Sequence, residues 1–153
     1  MATIKQGDKA PAFSANDQNG NLISLSDFAG KTVVLYFYPK DATPGCTVEA
    51  CDFRDNYQAL QAKGLVVLGV STDDEKSHAK FIGKFQLPFT LLADTDKKLV
   101  EAYGVWVEKS MYGKTYMGTA RKTFIINPEG KIAHIIEKVD TKRASQQVLD
   151  LLD

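Results

Sequence analysis

Cysteine is scarce in this chain: two among 153 residues, Cys46 and Cys51. Two thiols cannot form the framework of bridges that staples a small secreted domain, so redox or metal chemistry is the better reading. Histidine is as scarce, and His78 and His134 stand far from the cysteines in sequence. A closed zinc site takes about four ligands, so this scattered set is a poor one, and a core or surface role suits each histidine better. Charge of one sign is missing too, since 19 Lys and Arg balance 19 Asp and Glu. No basic footprint for nucleic acid follows. No apolar run approaches the roughly 20 residues that span a bilayer. The first residues, Met1-Ala2-Thr3-Ile4-Lys5-Gln6-Gly7-Asp8, lack the apolar core of a secretion signal, so a cytoplasmic address is expected. A Gly-rich nucleotide fingerprint between a strand and a helix is missing as well, and there is no internal repeat, linker or low-complexity stretch.

What remains is ordinary for a globular protein, 44% hydrophobic and 25% charged, and its length suits one domain over 1–153. Two short apolar segments between Phe13 and Leu25 flank Asp17-Gln18-Asn19-Gly20-Asn21, which predicts a β-hairpin. Ser26 to Gly30 reads as one helical turn closed by glycine. Thr32 to Tyr38 and Leu65 to Val70 are apolar on both alternate faces, as buried strands are. With a helix from about Thr43 to Gly64 between them, they predict a βαβ unit with parallel strands.

Thr72-Asp73-Asp74-Glu75 resembles a capping box and opens a helix to about Phe85. Phe89 to Ala93 reads as a short strand. Asp94-Thr95-Asp96 can cap a helix carrying Leu99, Val100 and Tyr103, with Gly104 as its stop. The stretch from Val107 to Gly118 shows no clear period and reads as a loop over one end of the sheet. Thr123 to Ile126 and Lys131 to Ile136, joined by Asn127-Pro128-Glu129-Gly130, predict an antiparallel hairpin. A last helix from Arg143 to Asp153 places Ala144, Val148, Leu149 and Leu152 on one face. The fold class is α/β, a mixed sheet covered by helices.

The chain turns on Tyr36-Phe37-Tyr38-Pro39-Lys40-Asp41-Ala42-Thr43-Pro44-Gly45-Cys46. A hydrophobic strand runs into a turn punctuated by proline and glycine, and a helix opens with cysteine in its first turn. Thr43 suits the N-cap, and Pro44 has no N–H to leave unsatisfied at the first helical position. At Cys46 several backbone N–H groups point outward without intrahelical partners, so a thiolate is stabilised there. A helix end contributes only about 0.3–1 kcal/mol to a nearby charge. A cation at roughly 4 Å contributes up to about 4 kcal/mol at an effective dielectric near 20. Strong activation therefore needs an arginine or lysine brought from elsewhere. Taken alone, the two cysteines read as well as small buried hydrophobes on an amphipathic helix.

Pro39-x-x-x-Thr43-x-x-Cys46 fits the Pro-x-x-x-Thr-x-x-Cys motif of the peroxiredoxins, and the stretch through Cys51-Asp52-Phe53-Arg54-Asp55 resembles the peroxiredoxin Q, or bacterioferritin comigratory protein, subfamily. The similarity continues through Tyr103-Gly104-Val105-Trp106 and Gly118-Thr119-Ala120-Arg121-Lys122-Thr123-Phe124. It implies a thioredoxin-like fold and a thiol peroxidase needing no metal, haem or flavin. Cys46 is then the peroxidatic cysteine, and Cys51 the resolving cysteine that closes an intramolecular disulfide with it. Arg121 is implied to reach the thiolate and orient the peroxide, although an arginine beside Lys122 at a strand start would otherwise be an ordinary solvated one. Thr43 is N-cap, donor to the thiolate and the attacked peroxide oxygen, or both. Pro39, whose ring in the family shields the cysteine from water, is expected with Gly45 and Glu49 in the substrate site. Glu49 lies one turn beyond Cys46, either paired with Arg121 or exposed. Tyr38, Phe53, Trp106 and the Met111 to Met117 stretch suit packing better than cofactor binding.

Hydroperoxides are the implied substrates and thioredoxin or a similar dithiol the implied reductant. A monomer, or at most a weak dimer, is expected. The rival is a dithiol exchange or redox-signalling protein, whose usual signature is Cys-x-x-Cys rather than four intervening residues. On an ideal helix residues i and i+5 lie about 8.6 Å apart at Cα and point about 140° apart. A disulfide tolerates about 7 Å, so the helix must unwind for the bond to close.

Overall fold

The computed structural model describes residues 4–152. Its main sheet is built from β1 (Ser14–Asn16), β2 (Leu22–Ser24), β3 (Thr32–Phe37), β4 (Leu65–Ser71), β5 (Thr90–Ala93), β8 (Lys122–Ile126) and β9 (Ile132–Ile136). Their order is β2-β1-β5-β4-β3-β8-β9. The pairs β3–β4 and β4–β5 run parallel and the rest antiparallel. The sheet is therefore mixed, and both predicted hairpins are present at its two edges.

Strand β3 divides the core. Val34, Tyr36 and Tyr38 join one apolar cluster with Phe53, Leu60, Phe81, Leu91 and Val148. Val33, Leu35 and Phe37 join the other with Leu68, Leu92, Leu99, Tyr103 and Phe124. Successive side chains of a strand point to opposite faces, so a continuous apolar run fills both layers at once. Each such side chain contributes roughly 1.5–3 kcal/mol by leaving water. The helices α1 (Pro44–Asp55), α2 (Tyr57–Ala62), α3 (Glu75–Phe85) and α5 (Ala144–Leu152) supply the first layer, and α4 (Lys98–Ala102) the second.

Four expectations are corrected. The helix predicted from Thr43 to Gly64 is broken at Asn56, where Nδ2 donates to the Asp52 carbonyl at 2.9 Å and the backbone swings to φ −112°, ψ 12°. A short polar side chain competes here with the helical pattern. Helix α3 is capped by Asp74, whose Oδ1 accepts from Ser77 N at 2.8 Å, and not by Thr72. Asp73 is already committed to Ser71 Oγ and to Asp41 N, which keeps the preceding residues out of the helix. The stretch from Val107 to Gly118 is no loop but an antiparallel ribbon, β6 (Trp106–Met111) and β7 (Lys114–Thr119). Its two-residue turn has positive φ at both Tyr112 (53°) and Gly113 (78°), the backbone whose twist suits a tight hairpin. Thr43 occupies the N-cap position of α1 but makes no side-chain cap bond. Asp153, expected at the end of the last helix, lies outside the described residues.

Candidate active site

Parallel β3 and β4 leave the end of β3 at the rim of the sheet, where the chain must turn outward to reach α1. Asp41 holds that turn. Its Oδ1 accepts from the Tyr38 hydroxyl at 2.6 Å, its Oδ2 from Ser77 Oγ at 2.8 Å, and its N–H donates to Asp73 Oδ2 at 2.8 Å. Oδ2 also lies 2.7 Å from His78 Nδ1. Ala42 next to it adopts φ +62°, a left-handed conformation that L-residues seldom take. Thr43 Oγ1 donates to the Lys40 carbonyl at 2.8 Å. Its proton is committed there, while its lone pairs can still accept.

Cys46 falls at the third position of α1 and is only 2% exposed. Pro44 has no N–H, and the Thr47 N–H already bonds the Thr43 carbonyl at 2.9 Å. Both cysteines are free thiols, Cys51 being half-buried on the same helix.

Arg121 arrives from the other half of the chain. Strand β8 runs antiparallel to β3 and pairs Lys122 with Phe37, so the residue just before β8 stands where β3 ends. Its Nη2 donates to Cys46 Sγ at 3.3 Å and its Nη1 to Glu49 Oε1 at 2.7 Å. A Cβ at position 45 would come within 3.2 Å of Nη2, so Gly45 leaves the space that the guanidinium fills. Burial pulls the Arg121 guanidinium down, but Cys46 and Glu49 beside it outweigh that and hold it above its ordinary range. Glu49 is fully buried, its Oε2 without a hydrogen-bond partner among the described residues. Burial pushes its carboxyl up to about 7, against the pull of Arg121. Of the expected alternatives, Glu49 therefore takes the paired one.

A cleft of about 560 Å³ opens over this group, with Pro39, Thr43, Gly45 and Arg121 in its wall. Of the seven residues expected in the site, Gly45, Cys46, Glu49 and Cys51 lie on α1, Pro39 and Thr43 on the turn before it and Arg121 just before β8. Glu49, expected in the substrate site, is instead buried behind Arg121 and does not line the cleft. The opposite wall comes from the ribbon, through Trp106, Lys109, Met111, Tyr116 and Met117. The sequence reading missed Lys109 because it missed the ribbon; the signal was Tyr112-Gly113 between two six-residue segments. It also missed the Asp41–His78 pair, signalled by an acid inside the motif and a histidine three residues before Phe81 on α3.

The chain matches the AhpC/TSA family over residues 6–135. It is 51% identical over 137 residues to a putative peroxiredoxin bcp of Coxiella burnetii, covering 90% of this chain and 91% of that protein. Peroxiredoxin Bcp of Escherichia coli K12 is 47% identical over 152 residues, covering 99% and 97%. Among solved structures, a PrxQ variant from Xylella fastidiosa superposes with a TM-score of 0.93 at 33% identity, covering 99% of this chain and 97% of that one. Xanthomonas campestris peroxiredoxin Q does so at 0.86 and 39%, covering 92% and 89%. The fold is accordingly the thioredoxin-like one of these peroxiredoxins. With relatives of about half identity along nearly its whole length, the chain belongs to the AhpC/TSA family, as a peroxiredoxin of the Bcp or Q type.

Proposed function

We propose that this thiol peroxidase works through Cys46 as the attacking thiolate and Cys51 as the resolving thiol. The observation that carries the assignment is the 3.3 Å contact of Arg121 Nη2 with Cys46 Sγ. A guanidinium there stabilises the thiolate before attack and remains beside the oxygen that the sulfur takes up. The sulfur attacks the terminal oxygen of the hydroperoxide, leaving Cys46 as sulfenic acid and releasing water or an alcohol. Thr43 Oγ1 accepts the O–H of the bound peroxide, which fixes the direction of the O–O bond. Pro39 and Gly45 form the cleft wall beside it, and Glu49 keeps the planar fork of Arg121 turned to the sulfur. Cys51 then condenses with the sulfenic acid, releasing water, and thioredoxin or a similar dithiol restores both thiols by exchange. Apolar Trp106, Met111 and Met117 in the opposite wall suit organic hydroperoxides as well as hydrogen peroxide. An internal resolving thiol suits a monomer, and reductant of this class suits a cytoplasmic address.

Dithiol exchange without peroxide turnover is disfavoured by the 2% exposure of Cys46, which admits a small peroxide more readily than a partner protein's disulfide. The test is steady-state consumption of several hydroperoxides driven by thioredoxin and its reductase. Cys46→Ser should lose turnover and form no sulfenic acid. Cys51→Ser should form it once, then overoxidise unless an external thiol is supplied. Sulfenic acid trapped at Cys51, or identical behaviour of the two variants, would reverse the assignment.

A further inference from the structure

Thiolate attack on a hydroperoxide creates a proton problem that Cys46 and Arg121 leave open. The S–O bond forms as the O–O bond breaks, and the electron pair of that bond departs on the second oxygen as alkoxide or hydroxide. Such an anion is strongly basic, so a proton delivered during bond breaking lowers the barrier. Arg121 cannot supply it, because a guanidinium keeps its protons in proteins. The Thr43 hydroxyl proton is held by the Lys40 carbonyl. Glu49 is sealed below Arg121 at 0% exposure.

We propose that Lys109 is a catalytic residue whose ammonium donates this proton to the departing oxygen. The inference rests on the thiol-peroxidase reading above. Lys109 stands on β6 in the cleft wall facing Thr43, Gly45 and Arg121. Its stem lies flat across the ribbon, because a Cβ at Gly118 would come within 3.2 Å of Lys109 Cδ. The half-buried chain is thereby laid along the cleft instead of extending into solvent. Lys40 and Tyr116, the other titratable residues of the cleft wall besides Arg121, are both exposed. Burial and the neighbouring Arg121 charge push Lys109 below its ordinary range, while the Cys46 thiolate opposes them. Arg121 and Cys46 thus both act on its charge across the cleft, and burial with Arg121 makes its ammonium a better acid than a free lysine.

The step balances. Cys46 loses two electrons and gains the hydroxyl, the peroxide gains those electrons, and the alkoxide takes one proton from Lys109, which solvent restores afterwards.

The test compares leaving groups that need a proton with one that does not. Stopped-flow oxidation of Cys46 is followed in the intact protein, Lys109→Met and Lys109→Arg, with tert-butyl hydroperoxide and with peracetic acid. Acetate leaves as a stable anion, whereas tert-butoxide does not. Lys109→Met should slow the alkyl hydroperoxide about 10²-fold, the low end of general acid catalysis, and leave peracetic acid nearly unchanged. Lys109→Arg should be as slow as the methionine variant, since it keeps the charge but releases no proton. Equal losses with both oxidants, full rescue by arginine, or no loss at all would overturn the proposal. The unaltered protein gives a check independent of folding of the variants: a normal solvent deuterium isotope effect with the alkyl hydroperoxide and none with the peracid. Isotope effects alike for both would also overturn it. If the unaltered protein reacts with neither oxidant, the thiol-peroxidase reading itself has failed.

Discussion

His78 Nδ1 lies 2.7 Å from Asp41 Oδ2, with both side chains buried and His78 Nε2 2.9 Å from the Leu92 carbonyl. A carbonyl only accepts, so Nε2 carries a proton, and a second proton lies between Nδ1 and the carboxylate. The pair ties α3 and β5 to the turn that presents Pro39 and Thr43. Removing one partner of such a buried pair typically costs about 3–5 kcal/mol. His78→Leu should lose stability of that order in urea unfolding and slow peroxide attack as the turn loosens. Adding Asp41→Asn should restore part of the stability. A His78→Leu protein that unfolds and reacts like the parent would remove any role for the pair in holding the turn.

Arg121→Met should slow the oxidation of Cys46 by about 10²–10³-fold, the usual loss when one preorganised donor to a developing charge is removed. Arg121→Lys keeps a charge but cannot hold Sγ and Glu49 with one planar group, so rescue should be partial. Stopped-flow rates for the three proteins, with thiolate absorbance against pH, are the measurement. Full recovery in the lysine variant would show that charge alone suffices.

Glu49 gives a stability term with a definite sign. Its carboxyl is held near 7 in the folded protein, against an ordinary value of 4.5, chiefly by burial. The folded state therefore binds the proton more tightly than the unfolded chain. The contribution is fully present below 4.5 and is lost as pH rises to about 7, a change on the order of 3 kcal/mol. Relative to Glu49→Gln, the parent protein should lose about that much stability across the window. Parallel curves for the two proteins across denaturant titrations at several pH values would contradict it.

Closing the Cys46–Cys51 bond should melt the start of α1. Both thiols sit on one continuous helix of 12 residues, where i and i+5 diverge too far for a disulfide. Phe53, fully buried with its ring 4.7 Å from that of Tyr36, should leave its packing. So short a loop gains little from crosslinking, and the oxidised protein should unfold at lower denaturant than the reduced one. Residue-resolved hydrogen exchange is the direct measure. Equal protection across residues 45–55 in both redox states would mean that the bond forms without melting the helix.

The strands, the helix after β3 and the residues around Cys46 were legible because each carries a contrast that water imposes. Val33 to Phe37 fill two cores, and Pro44 can only open a helix. The ribbon from Trp106 to Thr119 was not, since only its ends, Trp106 and Thr119, reach the core and the residues between are exposed or half-buried. Without burial on one side there is no alternation to read, and Lys109 was hidden with it. The break at Asn56 was equally silent, because Leu60 continues the buried face of α1 beyond it. The cap at Asp74 was blurred by Thr72 and Asp73 beside it, and only Asp41, 32 positions before Asp73, decides between them. The Asp41–His78 pair spans 37 positions, which no local pattern records.

Cys46 and the guanidinium that bonds it stand 75 positions apart, and they meet only when β8 has paired with β3. A chain still leaving the ribosome, or one that has come apart, carries no more than an ordinary cysteine. Fast reaction with peroxide is thus a property of the finished molecule, switched on by folding itself. The rate at which that reactivity develops during refolding clocks the docking of β8 against β3.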